Sequence, residues 1–200
     1  MTAVAKQAHV WERSSLDWYQ EEAWCSSALA RVESFEGQVW DPCCGSGTIP
    51  MMLNKAGVSA YGTDIVERRQ RANPQGLDFF EDAKTREPES IPNIVSNPPY
   101  FSGKGTEAFI RAAFPLVQHK LCVFVDKRFL GGDDRAAGLY VEIPPARIWM
   151  LTPRPSCPPG EYIAAGGKVG GGTADYVWIV YDKQASFFGT TWGWLRRDAV

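Results

Sequence analysis

The residues of this sequence best equipped for chemistry on a planar amine are Asn97-Pro98-Pro99-Tyr100. They follow the apolar run Ile91-Pro92-Asn93-Ile94-Val95-Ser96, which reads as a buried strand. Two consecutive prolines have no N–H to give to a ladder, so the chain must leave the sheet there. The side-chain amide of Asn97 and the carbonyl of Pro98 are then available as acceptors, and Tyr100 offers an aromatic face on which a planar group can stack. An amine conjugated to a ring or a carbonyl is a poor nucleophile because its lone pair is delocalised. Two acceptors gripping its two N–H bonds favour a pyramidal nitrogen with the lone pair aimed at an electrophile. Taken by itself the tetrapeptide also reads as a plain proline-rich turn.

A second group gives it company. Val39-Trp40-Asp41-Pro42-Cys43-Cys44-Gly45-Ser46-Gly47-Thr48 reads as a strand ending in an acid, a Gly-x-Gly turn and the start of a helix. In open α/β sheets a nucleotide-like ligand sits at this first strand-to-helix turn, where glycines let the backbone approach it. The third glycine of a dinucleotide fingerprint is replaced by Pro50, and the Gly-Lys-Ser/Thr of a P-loop is missing. Tyr61-Gly62-Thr63-Asp64 then places an acid at the tip of a second strand, suited to accept hydrogen bonds from ribose hydroxyls. Phe79-Phe80-Glu81-Asp82-Ala83 supplies a third acid after a third apolar stretch. Three acids at successive strand tips, with Asn-Pro-Pro-Tyr at the fourth, make an ordered constellation that chance explains poorly.

With these motifs in place, the sequence resembles the class I S-adenosylmethionine-dependent methyltransferases. More narrowly, it resembles the N6-adenine DNA methyltransferases that carry a [D/N/S]-P-P-[Y/F] motif. The likeness runs from about Asp17 to Asp182, and its motif order, cofactor loop before catalytic tetrapeptide, is similar to the γ arrangement of those enzymes. It implies an α/β Rossmann-like fold with a seven-stranded, mostly parallel sheet and helices on both faces. It implies S-adenosylmethionine as cofactor, held by Tyr19, Asp41, Pro42, Cys43, Gly45, Gly47, Asp64, Ile65, Asp82, Ala83 and Asn97. Within that set, Asp41 to Gly47 would face the methionine end, Asp64 the ribose and Asp82 the adenine. Asn97, Pro98, Pro99 and Tyr100 would be catalytic, and a flipped adenine in DNA the substrate. A glutamine side-chain amide and an adenine or guanine amine in RNA present the same N–H pair, so those substrates stay open. So does a silent cofactor-binding partner subunit.

The elements that must position these residues follow from the hydropathy pattern. Strands are expected near 38–41, 59–63, 78–80, 93–96, 121–125, 147–151 and 176–181, and helices near 20–34, 48–56, 106–114 and 132–140. No repeat or low-complexity linker divides the 200 residues, so one domain is expected. The stretch 152–175, rich in proline and glycine, is expected to be a substrate-contacting loop without regular structure, carrying Arg154, Lys168 and Tyr162. Lys104, Lys127, Arg128 and Arg135 are candidate phosphate contacts. Trp192 and Trp194 are expected to pack the tail down. The net charge of −2 gives no global field for nucleic acid, leaving room only for a local basic rim. Five cysteines lack a C-x-x-C pair or nearby histidines, which argues against a metal site. No leader or membrane-spanning stretch is evident, and a cytoplasmic location is the default expectation.

Overall fold

The structure, a computed structural model, describes residues 17–68, 76–185 and 189–197. Among the described residues seven strands are present: β1 (Val39–Asp41), β2 (Ala60–Gly62), β3 (Ile91–Ser96), β4 (Val117–Asp126), β5 (Arg147–Thr152), β6 (Tyr176–Asp182) and β7 (Thr191–Arg196). They form one sheet in the order β2-β1-β3-β4-β6-β5-β7. Pairings β1–β2, β1–β3, β3–β4 and β5–β7 are parallel, while β6 runs antiparallel to both β4 and β5. Strand β6 is therefore the one that opposes the common direction.

The helices are α1 (Ala23–Val32), α2 (Thr48–Lys55), α3 (Phe79–Ala83), α4 (Lys104–Ala113), α5 (Asp133–Ala137), α6 (Leu139–Glu142) and α7 (Gly160–Ala164). They cover both faces, and the alternation of side chains along β4 shows how. Leu121, Val123 and Val125 join a cluster with Phe109 and Ile110 of α4. Cys122 and Phe124 point the other way, into a cluster with Leu29 of α1 and Leu53 of α2. A strand buried on both faces reads as a continuous apolar run, as β4 and β6 do. All of Leu121 to Val125 and Val177 to Tyr181 are fully buried.

The structure departs from the pattern-based expectations in four places. Residues 78–80 start helix α3 instead of forming a strand, because the Asp78 carboxylate caps the backbone N–H groups of Phe80 at 2.8 Å and Glu81 at 3.4 Å. The count of seven is restored at the opposite edge. There Thr191–Arg196 adds alongside β5 as β7, leaving Trp192 and Trp194 45 % and 67 % exposed, not packed down. The stretch 152–175 contains the short helix α7, so it is only partly irregular. The expected short helix near 132–140 is divided at Gly138 into α5 and α6.

Among the described residues no helix is long and apolar enough to cross a membrane, and no group of three or more His, Cys, Asp or Glu side chains is placed to hold a metal ion.

Candidate active site

Parallel strands deliver their C-terminal ends to one edge of the sheet, which is where ligands bind in this architecture. Two cavities open there, of about 280 Å³ and about 930 Å³. The smaller lies over the tips of β1 and β2. It is lined by Tyr19, Asp41, Pro42, Cys43, Gly45, Asp64, Ile65 and Asn97, which were singled out in the sequence. Gly47, Asp82 and Ala83 line neither cavity. Gly47 instead takes a left-handed conformation to start α2, and Asp82 turns away on α3 to pair with Arg86. On that side Asp78, Phe79 and Phe80 meet the cavity. Their signal in the sequence is an N-cap acid before two aromatics, a pattern that a strand over 78–80 fits equally well.

The charge of the smaller cavity is lopsided. Asp17, Glu21, Asp41, Asp64 and Asp78 line it against one guanidinium, Arg68, so it suits a ligand with positive charge. Asp41 is buried and accepts from the Ser96 hydroxyl at 2.7 Å and the Cys43 N–H at 3.2 Å through Oδ1. Its Oδ2 is buried with no partner. Burial, with neighbouring Glu21 and Asp64, pushes its carboxyl well above the usual carboxylate range. Asp64 accepts the N–H groups of Gly45 at 2.8 Å and Val66 at 2.9 Å and pairs with Arg68. The Arg68 guanidinium stacks over the Trp18 ring, 4.2 Å from its centroid. Trp18 is the reason for glycine at two positions. A Cβ on Gly45, whose φ is +52°, would come 2.5 Å from the indole nitrogen, and a Cβ on Gly160 would strike the same ring.

Asn97 stands where the chain leaves β3, with its amide fixed at both ends. Its Nδ2 donates to the Tyr19 carbonyl and to Glu21 Oε2, both at 2.9 Å. Its Oδ1 accepts the Tyr100 hydroxyl at 2.8 Å. Burial pushes the Tyr100 phenol well up, so the hydroxyl stays a donor. Burial also pushes the Glu21 carboxyl up to about 7, against the lowering effect of the Asn97 hydrogen bond. Asn97 and Pro99 line the smaller cavity, Tyr100 lines the larger, and Asp17 and Tyr19 border both. The Tyr19 and Tyr100 rings lie nearly parallel, with centroids 6.4 Å apart. Pro98 is buried and lines neither cavity.

The larger cavity combines aromatic faces with a basic rim. Tyr100, Phe129 and Tyr176 contribute rings; Arg128 and Arg135 contribute cations. The 152–175 stretch supplies Pro155 to Cys157 and Gly170 to Ala174 to its wall. That stretch is stitched to the 17–22 segment. The Gln20 N–H donates to Pro158 O at 3.0 Å, the Gly160 N–H to Trp18 O at 2.9 Å, and the Ser156 N–H to Glu22 Oε2 at 2.9 Å. Several expected phosphate contacts are otherwise engaged. Lys127 and Arg154 both pair with Asp175, at 2.8 Å and 2.7 Å, and Arg128 pairs with Asp126 at 2.7 Å. Lys104, Tyr162 and Lys168 lie outside both linings. Trp18 and Glu21 belong to the Asp17–Glu22 segment, which the resemblance sets against the methionine end of the cofactor, whereas Cys157 and Tyr176 were not singled out as site residues. Their part in the site depends on segments distant in sequence meeting in space.

The sheet with its two-sided helical cover and ligand edge defines the Rossmann-like fold of the methyltransferases. A chain from Archaeoglobus fulgidus identified as a SAM-dependent methyltransferase superposes with a TM-score of 0.53 at 13% identity, over 81% of this chain and 95% of that one. A chain from Vibrio vulnificus, assigned as the modification subunit of a type I restriction enzyme, gives 0.57 at 11% identity over 86% of this chain. The match spans only 45% of that subunit's length. A chain from Pyrococcus horikoshii, assigned as an RNA methyltransferase, gives 0.52 at 11% identity, over 80% of this chain and 81% of that one. No protein-family model matches this sequence, and no curated protein matches it.

Proposed function

We propose that this protein transfers a methyl group from S-adenosylmethionine to the exocyclic N6 of adenine in DNA. One observation carries the proposal: Asn97-Pro98-Pro99-Tyr100 stands at the junction of two cavities, with Asn97 facing the smaller and Tyr100 the larger. The smaller cavity suits the cofactor chemically. Its carboxylates, including the unpartnered Asp41 Oδ2, complement a sulfonium and an ammonium, and Phe79 and Phe80 offer apolar contact to a purine. Bound there, the cofactor supplies an electrophilic methyl carbon. The larger cavity has aromatic walls for a flipped base and Arg135 at its rim for a backbone, Arg128 being paired with Asp126. The likeness to a restriction–modification subunit favours DNA among the possible polymers.

In this reading Tyr100 stacks on the base, while the Asn97 Oδ1 accepts an N6 hydrogen; the Pro98 carbonyl, expected as the second acceptor, belongs to a residue that lines neither cavity. The N6 lone pair forms the new N–C bond as the methyl–sulfur bond breaks, sulfonium becoming thioether, and one N6 proton leaves to water. Alignment and charge complementarity supply the rate, and no strong base need act first.

The test is a radiolabelled methyl-transfer assay on unmethylated DNA, total RNA and ribosomal proteins, followed by nucleoside analysis. Label recovered as N6-methyladenine in DNA supports the proposal; label confined to RNA or protein overturns the substrate. Asn97→Ala should lower turnover about 100-fold or more while leaving cofactor affinity within about threefold, since its interactions develop at the transferring nitrogen. Asp64→Ala should do the reverse, weakening cofactor binding first.

A further inference from the structure

We propose that Glu21 is a positioning residue: its buried carboxylate locks the Asn97 amide in the one orientation that presents Oδ1, not Nδ2, to a substrate amine. This rests on the assignment of Asn97 as the amine acceptor and extends it to a residue outside the tetrapeptide.

An asparagine amide can be turned over with almost no change of shape, exchanging an acceptor for two donors. At a site that must accept a hydrogen bond, the wrong orientation is a dead one. Three partners decide the matter here. Glu21 Oε2 and the Tyr19 carbonyl, each 2.9 Å from Nδ2, are acceptors and demand the NH2 end. The Tyr100 hydroxyl, 2.8 Å from the other end, donates and demands the oxygen. Of these only Glu21 can carry charge into the contact, and a charge-assisted bond is roughly twice as strong as a neutral one. Turning the amide over would set its oxygen against a carboxylate and a carbonyl at once.

The surroundings make this arrangement costly and therefore informative. Glu21 is 5 % exposed. The ionisable groups that act on or are acted on by it are Asp41 on β1, Cys25 on α1, Cys157 on the stretch before α7, and Tyr100 beyond β3. All four are acids, so none of them repays the burial of a carboxylate. The Asn97 Nδ2 is the side-chain partner that stabilises it, and burial outweighs that bond, leaving the carboxyl near 7. The grip on Asn97 should thus strengthen as Glu21 ionises.

Two measurements test this, one independent of turnover. The chain has four asparagines, at 54, 73, 93 and 97, so ¹⁵N-asparagine labelling gives a short set of side-chain amide pairs, with that of Asn97 assigned by its loss in Asn97→Ala. In the wild-type protein this pair should titrate with a midpoint near 7, and in Glu21→Gln, which keeps the side-chain volume, it should be displaced and cease to titrate. An Asn97 pair insensitive both to pH and to Glu21→Gln overturns the proposal, whether or not the protein methylates any polymer offered. Where methylation is found, Glu21→Gln should lower kcat about tenfold or more with cofactor Kd within about threefold, and flatten the rise of kcat through neutral pH. Glu21→Asp, which retains the charge, should recover part of the loss. A variant whose cofactor affinity falls in step with its turnover would make Glu21 a cofactor ligand and sink the positioning role. A wild-type enzyme with no methyl acceptor in DNA, RNA or protein would instead count against the functional assignment, with the amide spectra still deciding the role of Glu21.

Discussion

At the scale of single residues, the proposed chemistry turns on one oxygen. Asn97 Oδ1 has two lone pairs, and the Tyr100 hydroxyl takes one of them at 2.8 Å. A substrate amine must use the other or displace the phenol. The ring of Tyr100 and its hydroxyl therefore pull in different directions, the ring offering a stacking face and the hydroxyl competing for the acceptor. Tyr100→Phe separates the two. It should keep turnover within about threefold of wild type and lower the substrate KM, whereas Tyr100→Ala should lose about tenfold or more in kcat/KM through the missing face. Steady-state kinetics on a methyl-accepting oligonucleotide measures both. A Phe variant as slow as the Ala variant would show that the hydroxyl itself takes part. The tetrapeptide, Asp41 and Asp64 were legible in the sequence because each stands at the end of an apolar run, and a strand tip is a place that pattern can find. Glu21 and Trp18 were visible as letters, but nothing local states that one would meet an asparagine 76 residues on and the other a glycine on α7.

At the scale of elements, the same distinction separates what pattern reveals from what only packing decides. The buried strands β3, β4 and β6 announce themselves as unbroken apolar runs, and α1, α2 and α4 by their spacing. Helix α3 did not, since two adjacent phenylalanines satisfy a strand template and the cap that decides for helix is the single side chain of Asp78. Strand β7 hid for another reason. An edge strand with a single buried side chain, Leu195 next to its C-terminal end, carries little hydropathy signal, and it exists because β5 offers a free edge. Helix α1 is tied to the sheet by an equally non-local device. Glu33, just past its C-terminus, is 4 % exposed and takes Arg147 at 2.6 Å and Lys120 at 2.9 Å, with the Trp149 indole N–H at 2.9 Å. Burial would raise its carboxyl, but the two cations and the indole hold it below the usual range. Removing one member of a buried ion cluster leaves the others uncompensated, so Glu33→Ala should cost about 3–5 kcal/mol. Urea unfolding measures it; a loss under about 1 kcal/mol would mean that Arg147 and Lys120 regain solvent and the cluster is only a surface bridge. Because Glu33 lies away from both cavities, the cofactor affinity of the folded variant should be unchanged.

At the scale of the whole molecule, the site and the fold oppose each other through charge. Two carboxylates at the ligand edge, Glu21 and Asp41, are held above their ordinary values by burial. For Glu21 the folded value is about 7 against an ordinary 4.5. Between those values the folded protein retains a proton that the unfolded chain has released, so its stability is greatest at the acid end of the window and falls as pH rises through 7. The shift corresponds to roughly 3 kcal/mol for Glu21, with Asp41 adding in the same direction. Glu33 and Asp182 act oppositely. Their lowered values give stability that is present at neutral pH and lost on acidification through the range below 4.5. The urea midpoint should accordingly peak between these two limbs and decline towards neutrality, and Glu21→Gln should flatten the neutral limb while leaving the acid limb in place. A wild-type midpoint that is level through 7 would deny the buried proton. A cationic ligand in the smaller cavity reverses the balance at Asp41, because it favours the ionised form of a carboxyl whose Oδ2 has no partner and which burial keeps protonated. Binding of S-adenosylmethionine should therefore tighten as pH rises and release protons. Calorimetry in two buffers of different ionisation enthalpy counts those protons directly. The uncharged thioether product lacks the sulfonium, so it should release fewer protons and bind with a shallower pH dependence. Equal proton release by the two ligands would place the sulfonium away from Asp41, and with it the methyl carbon away from the neighbouring tip of β3.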